Sequence, residues 1–133
     1  MATILAHIQT KPGQEATFEA VIRDLYAATG EEAGKRHYQY WRAATPGLYY
    51  CLLAFDDFNS FITHQTSDHH EAASPKLGDC IADLKLEWVD PVGGASDLPP
   101  TETQSLPADA NELRQQYHEL FAIDAQDWWQ SLR

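Results

Sequence analysis

The stretch from His37 to Phe55, HYQYWRAATPGLYYCLLAF, predicts a β-hairpin and decides the fold class. Its two aromatic and apolar runs, His37–Ala43 and Leu48–Phe55, have the composition of β-strands, and Pro46-Gly47 between them is a turn signal. The second run is nearly all apolar, which is typical of a strand that is covered on both faces. The flanking sequence must therefore supply elements that cover this hairpin.

The residues before the hairpin predict one more strand and one helix. Ala2–Gln9 (ATILAHIQ) mixes β-branched and aliphatic residues and ends at the turn signal Lys11-Pro12-Gly13. From Gln14 to Thr29, apolar residues recur with the period of one helix face, and Gly30 follows as a stop signal. The positions of this stripe are Phe18, Val21, Ile22, Leu25 and Tyr26.

The residues after the hairpin predict a second helical region. Asp57 is placed to cap a short helix, Phe58–Gln65, and Ser67 is placed to cap the segment that follows. Ser74-Pro75 has the pattern of another N-cap followed by proline at the first helical position. Because proline inside a helix is costly, we expect a break or kink there before the helix continues to Leu84.

Leu86–Val92 (LEWVDPV) reads as a fourth strand and completes the order β-α-β-β-α-β. That order is typical of the ferredoxin-like α+β fold, in which the strands form one antiparallel sheet. We therefore assign residues 1–92 to a single ferredoxin-like domain.

The remainder of the sequence predicts a helical extension joined by a linker. Residues 93–108 are polar and rich in Gly and Pro, without the apolar residues needed for a core of their own. In residues 109–133, Asp109 with Glu112 resembles a capping box, and apolar residues recur behind it at helical spacing. Two of the four tryptophans lie within the last six residues. So much apolar surface is expected to dock on its own domain or on the other subunit of a dimer.

Charge and composition exclude several classes of partner. The chain carries 9 Lys+Arg against 20 Asp+Glu, a net charge of −11, and a polyanion is repelled by nucleic acids and anionic membrane surfaces. No run approaches the roughly 18–20 apolar residues of a membrane span, and no signal-peptide pattern is present, so we expect a soluble, cytoplasmic protein. Cys51 and Cys80 show no metal-ligand spacing and are expected to be reduced, partly buried thiols.

Three short motifs follow one another along residues 2–92. The first strand runs into a Lys-Pro-Gly turn in ILAHIQTKPGQEATF, and Glu32-Ala33-Gly34 precedes the second strand, with Tyr38 four residues on. A His, a Ser and a second His then occur within His64–His70 (HQTSDHH). Their order and spacing resemble the antibiotic biosynthesis monooxygenase family. The resemblance implies a homodimer whose two sheets join into a dimeric α+β barrel, and an aromatic small molecule as substrate.

The resemblance also implies oxidation of an electron-rich phenolic ring, a quinol or polyphenol, by O₂ with no cofactor. Such a reaction needs a base, because a phenolate loses an electron far more readily than a phenol, and an apolar cavity that excludes water. His64 is the candidate catalytic base, since it follows Phe61 at the edge of the apolar stripe of its helix. Its competing role is that of a boundary histidine that is hydrogen-bonded to backbone or water.

Aromatic and polar residues near His64 are the candidate contacts with the substrate. Alternation along the second strand puts Tyr38 and Tyr40 on one face of the sheet and Trp41 on the other. Filling the core and the dimer interface is the competing role for the aromatic members. The candidate substrate-binding residues are Tyr38, Phe55, Phe61, His70 and Trp88.

Two departures from the family pattern bear on function. The Glu and Trp that the family often has at the end of the third strand are replaced by Leu53-Ala54-Phe55. The Asn, Trp and His of the haem-degrading branch would fall on Ala6, His64 and Ser74, so the resemblance disfavours haem degradation. The alternative to an enzyme is a non-catalytic, small-molecule-binding or structural dimer of the same fold.

The histidines of the third motif also raise the question of a metal site. Offsets of five and six residues place His69 and His70 around a continuous helix from His64, unlike the i, i+4 pair that metal sites use. We therefore predict no metal, although a break of the helix at Ser67 would change this geometry.

Overall fold

The computed structural model describes residues 1–133 as a four-stranded antiparallel sheet with helices packed on one face. The elements are β1 (Ala2–Thr10), α1 (Glu15–Gly30), β2 (Lys35–Arg42), β3 (Leu48–Phe55), α2 (Phe58–Gln65), α3 (Asp68–Cys80), β4 (Ile81–Trp88), α4 (Glu112–Leu120) and α5 (Asp127–Gln130). The strand order is β2-β3-β1-β4, and each neighbouring pair is antiparallel. The predicted ferredoxin-like fold is confirmed. No helix has both the length and the apolar character needed to span a bilayer.

The inner face of the sheet and the apolar stripe of α1 form the core. Alternate residues of β1 and β3 are buried, and Phe18 of α1 lies against them with none of its surface exposed. As predicted, Tyr38 faces the core, and Trp41 points to the opposite face, where 47% of it is exposed. The period-2 pattern of the strands thus separates an inner face from an outer one.

The two short helices after the hairpin begin at the predicted caps. The Asp57 carboxylate accepts the Ser60 N–H at 2.7 Å, and α2 has the predicted bounds. The Ser67 hydroxyl accepts the His70 N–H at 3.3 Å and donates to the His64 carbonyl at 2.7 Å, which joins the end of α2 to the start of α3. Each such cap contributes about 1 kcal/mol and defines where its helix starts.

The second half of the domain differs from the prediction in two places. The break or kink that we expected at Pro75 does not interrupt helix α3, because Pro75 lies on the exposed side and water can bond the carbonyl it leaves free. The fourth strand is Ile81–Trp88 rather than Leu86–Val92, since Ile81 already pairs with Thr10. The helical spacing that predicted a helix as far as Leu84 combined residues of α3 with residues of β4, because α3 ends at Cys80.

The segment before α4, which was predicted to be a linker, packs along the domain. Thr101 is fully buried, and its hydroxyl donates to the Val89 carbonyl at 2.7 Å. The Arg133 guanidinium donates to Asp90 Oδ1 at 2.7 Å and to the Thr101 carbonyl at 2.9 Å. The last residue is thereby tied to this segment.

Helix α4 lies against α2 of the same chain. Asn111, rather than the predicted Asp109, is its N-cap and accepts the Arg114 N–H at 3.0 Å. The ring of Phe121, just after α4, packs edge-on against Phe61 of α2, with centroids 5.5 Å apart. Apolar surface nevertheless remains open beyond α4: Trp128 and Leu132 are 63% and 78% exposed.

Candidate active site

A cavity of about 410 Å³ lies between the inner face of the sheet and the helices, and its volume is within the range of small-molecule sites. Three quarters of its 20 lining residues are hydrophobic, so water gains few partners inside it. Leu84, which is half exposed, and Leu120 lie at the rim between β4 and α4. The lining side chains that carry a nitrogen or oxygen atom, the tyrosines included, are Tyr38, Tyr40, His64, Gln65, His70, Ser74 and Tyr117.

His64 combines complete burial with one unpartnered nitrogen. Its Nδ1 lies 2.9 Å from Glu32 Oε1, whereas its Nε2 is buried without a hydrogen-bond partner. Because a carboxylate can only accept, the neutral form of this ring carries its proton on Nδ1 and keeps the lone pair on Nε2. The ring is held by contacts with Tyr38, Phe55 and His70, at centroid distances of 5.1, 5.0 and 4.9 Å. The imidazole is therefore a fixed acceptor at the cavity wall.

The Glu32 carboxylate fixes this tautomer. Its Oε1 also accepts from His69 Nε2, at 2.7 Å. Burial alone would raise the pKa of Glu32, but the hydrogen bonds that His64 and His69 donate to it hold that pKa below its ordinary value. The carboxylate is thus ionised at neutral pH and orients both rings.

The close approach of the Glu32 loop to α2 requires a glycine. A Cβ at Gly34 would lie 2.6 Å from the Cβ of Ser60, so any side chain there would push α2 away. The Gly34 carbonyl also accepts the Asp56 N–H at 2.8 Å, which fixes the loop beside the end of β3. The Glu-x-Gly pattern therefore brings the carboxylate within reach of His64.

Replacing Gly34 by alanine is expected to lower the free energy of unfolding by about 1–3 kcal/mol, because the added methyl group overpacks this contact. Gly30 is the matched control: no atom lies within 4 Å of a Cβ there, so Gly30→Ala should be neutral or slightly stabilising. Urea denaturation of both variants measures the difference. Equal midpoints for the two variants would contradict the steric argument.

The other polar groups of the lining are neutral at physiological pH. Burial lowers the pKa of His70 to about 4, and its Nδ1 is buried without a partner. Burial also raises the pKa values of Tyr38 and Tyr40, whose hydroxyls lie 2.9 Å apart. The pKa of Cys51 rises to about 12 for the same reason, so this free thiol is not a nucleophile.

The structure places the predicted site residues in two groups. Tyr38, His64 and His70 line the cavity together. Phe55 packs behind the ring of His64 without being part of the lining. Phe61 and Trp88, with ring centroids 5.5 Å apart, belong to an aromatic cluster under the C-terminal extension and are likewise outside the lining; Phe55 contacts this cluster at 5.9 Å from Phe61.

A known family profile matches more than half of the chain. It is the profile of the family Antibiotic biosynthesis monooxygenase, and it matches residues 1–76. The chain belongs to the antibiotic biosynthesis monooxygenase family. Membership supports a monooxygenase-type function, and the family's proteins are typically dimers that bind small molecules. No curated protein sequence matches this chain significantly.

Solved structures share the fold of this antibiotic biosynthesis monooxygenase family member. A protein from Caulobacter crescentus CB15 named for the same family is 29% identical, has a TM-score of 0.64, and aligns over 68% of this chain and 89% of its own. PA3566 from Pseudomonas aeruginosa (24% identity, TM-score 0.63, 66% and 90% coverage) shows the same fold. So does Rv0793 from Mycobacterium tuberculosis (18% identity, TM-score 0.66, 71% and 98% coverage).

Three positions of the lining are those on which the resemblance places the Asn, Trp and His of the haem-degrading branch. They are Ala6, His64 and Ser74. Neither the methyl group of Ala6 nor the hydroxyl of Ser74 supplies the amide or imidazole of that branch, so the cavity lacks its donor set.

Sequence reasoning missed several residues of the site. Glu32 is one, although its Glu-x-Gly motif was the available signal. His69 is another, because the chain turns at Thr66 and Ser67 between α2 and α3, so offsets along one continuous helix do not apply. The C-terminal extension supplies three more lining residues, Tyr117, Leu120 and Phe121. The apolar stripe of its helix did not indicate where on the domain the extension docks.

Proposed function

We propose that this protein is a cofactor-independent monooxygenase that oxidises a small phenol or quinol with O₂, with His64 as the base. The observation that carries the proposal is the buried, unpartnered Nε2 of His64, which belongs to the wall of a largely apolar cavity and is backed by an ionised carboxylate at Nδ1. An acceptor of this kind, fixed in a dry site, is suited to taking a phenolic proton.

The reaction balances with the substrate as its own reductant. His64 Nε2 takes the proton of the hydroxyl, and the phenolate passes one electron to O₂, giving a phenoxyl radical and superoxide. These combine at a ring carbon that bears hydrogen to form a peroxide anion, which takes back the proton held by His64 Nε2. Loss of water from the peroxide leaves a carbonyl at that carbon, so one oxygen atom enters the quinone product and the other leaves as water.

Ionised Glu32 lowers the cost of the imidazolium that forms when His64 takes the proton, because the positive charge then lies beside a negative one. The neutral hydroxyls of Tyr38 and Tyr40, and the unpartnered Nδ1 of His70, provide hydrogen bonds without adding charge to the cavity. The apolar lining keeps water away from the radical pair.

The proposed enzyme is tested by mixing it anaerobically with simple hydroquinones and then adding ¹⁸O₂. We expect O₂ uptake with one ¹⁸O atom in each quinone molecule and the other in water. Binding of the same phenols without O₂ uptake across the panel would instead support the non-catalytic, small-molecule-binding dimer.

The proposal includes a homodimer built on the outer face of the sheet. Leu5 of β1 pairs directly with Leu52 of β3 there. Tyr50, two residues before Leu52 on the same face, pairs with Trp41 of β2. An apolar sheet face of this kind needs a cover, and a second copy joined through a two-fold axis would supply it.

Leu52→Glu is expected to weaken this dimer about a hundredfold, because symmetry places two unpaired carboxylates in the interface. Ala82→Glu adds the same charge at an exposed position of the edge strand β4 and is the matched control. Sedimentation equilibrium measures both dissociation constants. The interface lies elsewhere if the two variants dissociate at the same concentration as the wild-type protein.

A further inference from the structure

Three potential metal ligands, from one loop and two helices, converge beside the cavity. Glu32 precedes β2, His64 is in the last turn of α2, and His69 is the second residue of α3. Glu32 Oε1 lies 2.9 Å from His64 Nδ1 and 2.7 Å from His69 Nε2, and the ligand atoms all lie within 4.8 Å of one another. The cap at Ser67, which bonds the His64 carbonyl, fixes the turn that makes this convergence possible.

One carboxylate and two imidazoles form a donor set that suits first-row divalent transition metals. Neighbouring ligand atoms around such an ion, at bonds of about 2.0–2.1 Å, are about 3 Å apart. Two of the three separations are within a few tenths of an ångström of this value, and the third, from His64 Nδ1 to His69 Nε2, is at most 4.8 Å. An ion bound by all three groups therefore draws the two imidazoles closer together.

The site is open to solvent on the side away from the cavity. His64 is fully buried, whereas the side chains of Glu32 and His69 are 16% and 30% exposed. An ion entering there keeps water as its remaining ligands, and it does not enter the substrate cavity, because His64 binds it through Nδ1.

We propose that Glu32, His64 and His69 form a binding site for a divalent first-row transition metal ion that inhibits the enzyme. The inhibitory part rests on the proposed function. A neutral imidazole that binds metal through Nδ1 carries its proton on Nε2, so His64 can no longer accept a proton from the substrate. Metal binding and catalysis thus compete for opposite tautomers of one ring.

Binding is tested with Co²⁺ alone, whose visible absorption bands report nitrogen and oxygen ligation. The wild-type protein is expected to bind one Co²⁺ per chain, and His69→Ala and Glu32→Gln to weaken binding at least about tenfold. The matched control is His7→Ala: His7 also pairs with a carboxylate, Glu87 at 2.7 Å, but outside the cluster. The site would be overturned if His69→Ala bound Co²⁺ as tightly as the wild type and had an unchanged circular dichroism spectrum. It would also be overturned if the wild-type protein gave no Co²⁺ absorption bands.

The inhibitory consequence has a separate readout. Zn²⁺ should suppress quinol-dependent O₂ uptake by the wild-type protein and by His7→Ala, at concentrations that match its displacement of Co²⁺. Turnover that persists when displacement is complete would overturn inhibition but leave the site. A protein that binds Co²⁺ and oxidises no quinol would contradict the proposed function alone, because the absorption spectrum needs no activity.

Discussion

His64→Gln is expected to lower kcat for quinol oxidation by about 10²–10⁴-fold, the usual contribution of a positioned general base. Glutamine fills a similar volume, and its amide can still hydrogen-bond to Glu32, but it cannot take a proton at the position of Nε2. The loss should fall on kcat more than on KM, because the apolar lining that binds the ring is unchanged. O₂ consumption at saturating hydroquinone measures it.

The control for this variant is His7→Gln, which changes a histidine on the outer face of the sheet that is paired with Glu87 rather than Glu32. Its kcat is expected to equal that of the wild type. A fully active His64→Gln would assign proton transfer to water or to the substrate's own acidity. In that case the buried Glu32–His64 pair would have a purely structural role.

The two histidine–carboxylate pairs differ in burial. The side chain of His7 is 32% exposed and that of Glu87 is 39% exposed, so solvent screens their interaction. The side chains of His64 and Glu32 are 0% and 16% exposed, so the carboxylate acts on the ring with little screening. The same pair of residue types is therefore a surface contact in one place and, in the proposed function, a proton acceptor in the other.

Local signals in the sequence were sufficient for much of the fold. The hairpin and α2 were predicted with correct or nearly correct bounds, because turn residues and the Asp57 cap act over three or four positions. Prediction failed at the junction of α3 and β4. There Pro75 is tolerated because its side of the helix is solvated, and solvation of one face is a property of the packed structure.

The candidate site was predictable only in part for a similar reason. His64, Tyr38 and His70 lie on elements whose inner faces can be read from periodicity. Glu32 lies on a loop, and the approach of that loop to α2 depends on the contact between Gly34 and Ser60. These two residues are 26 positions apart in the chain. Phe61 and Trp88 were expected at the cavity, but the extension covers them instead, because Phe121 packs on Phe61.

The extension contributes part of the cavity wall, and it lies outside residues 1–76, which the family profile matches. Tyr117 and Phe121 form part of the cavity wall, and the Tyr117 hydroxyl donates to Glu71 Oε1 at 2.6 Å, a bond that raises the pKa of Tyr117 to about 12. We therefore propose that the extension limits the size of the substrate.

Truncation after Ala108 removes α4 and α5 but leaves Thr101 in place. We expect the free energy of unfolding to fall by about 2–3 kcal/mol, because two half-buried aromatic side chains lose their contacts with the core. The melting temperature should then fall by roughly 10 °C. The KM for a one-ring quinol should rise and that for a larger fused-ring quinol should fall, because the wall at Tyr117 and Phe121 is gone.

Two point variants separate the wall from the rest of the extension. Phe121→Ala should reproduce part of both effects, whereas Gln116→Ala, an exposed position on the same helix, should reproduce neither. An unchanged melting temperature and unchanged KM values in the truncated protein would contradict the role of α4 in this cavity. If the truncated protein is monomeric at concentrations where the full chain is dimeric, the extension also contacts the partner subunit, through the exposed Trp128.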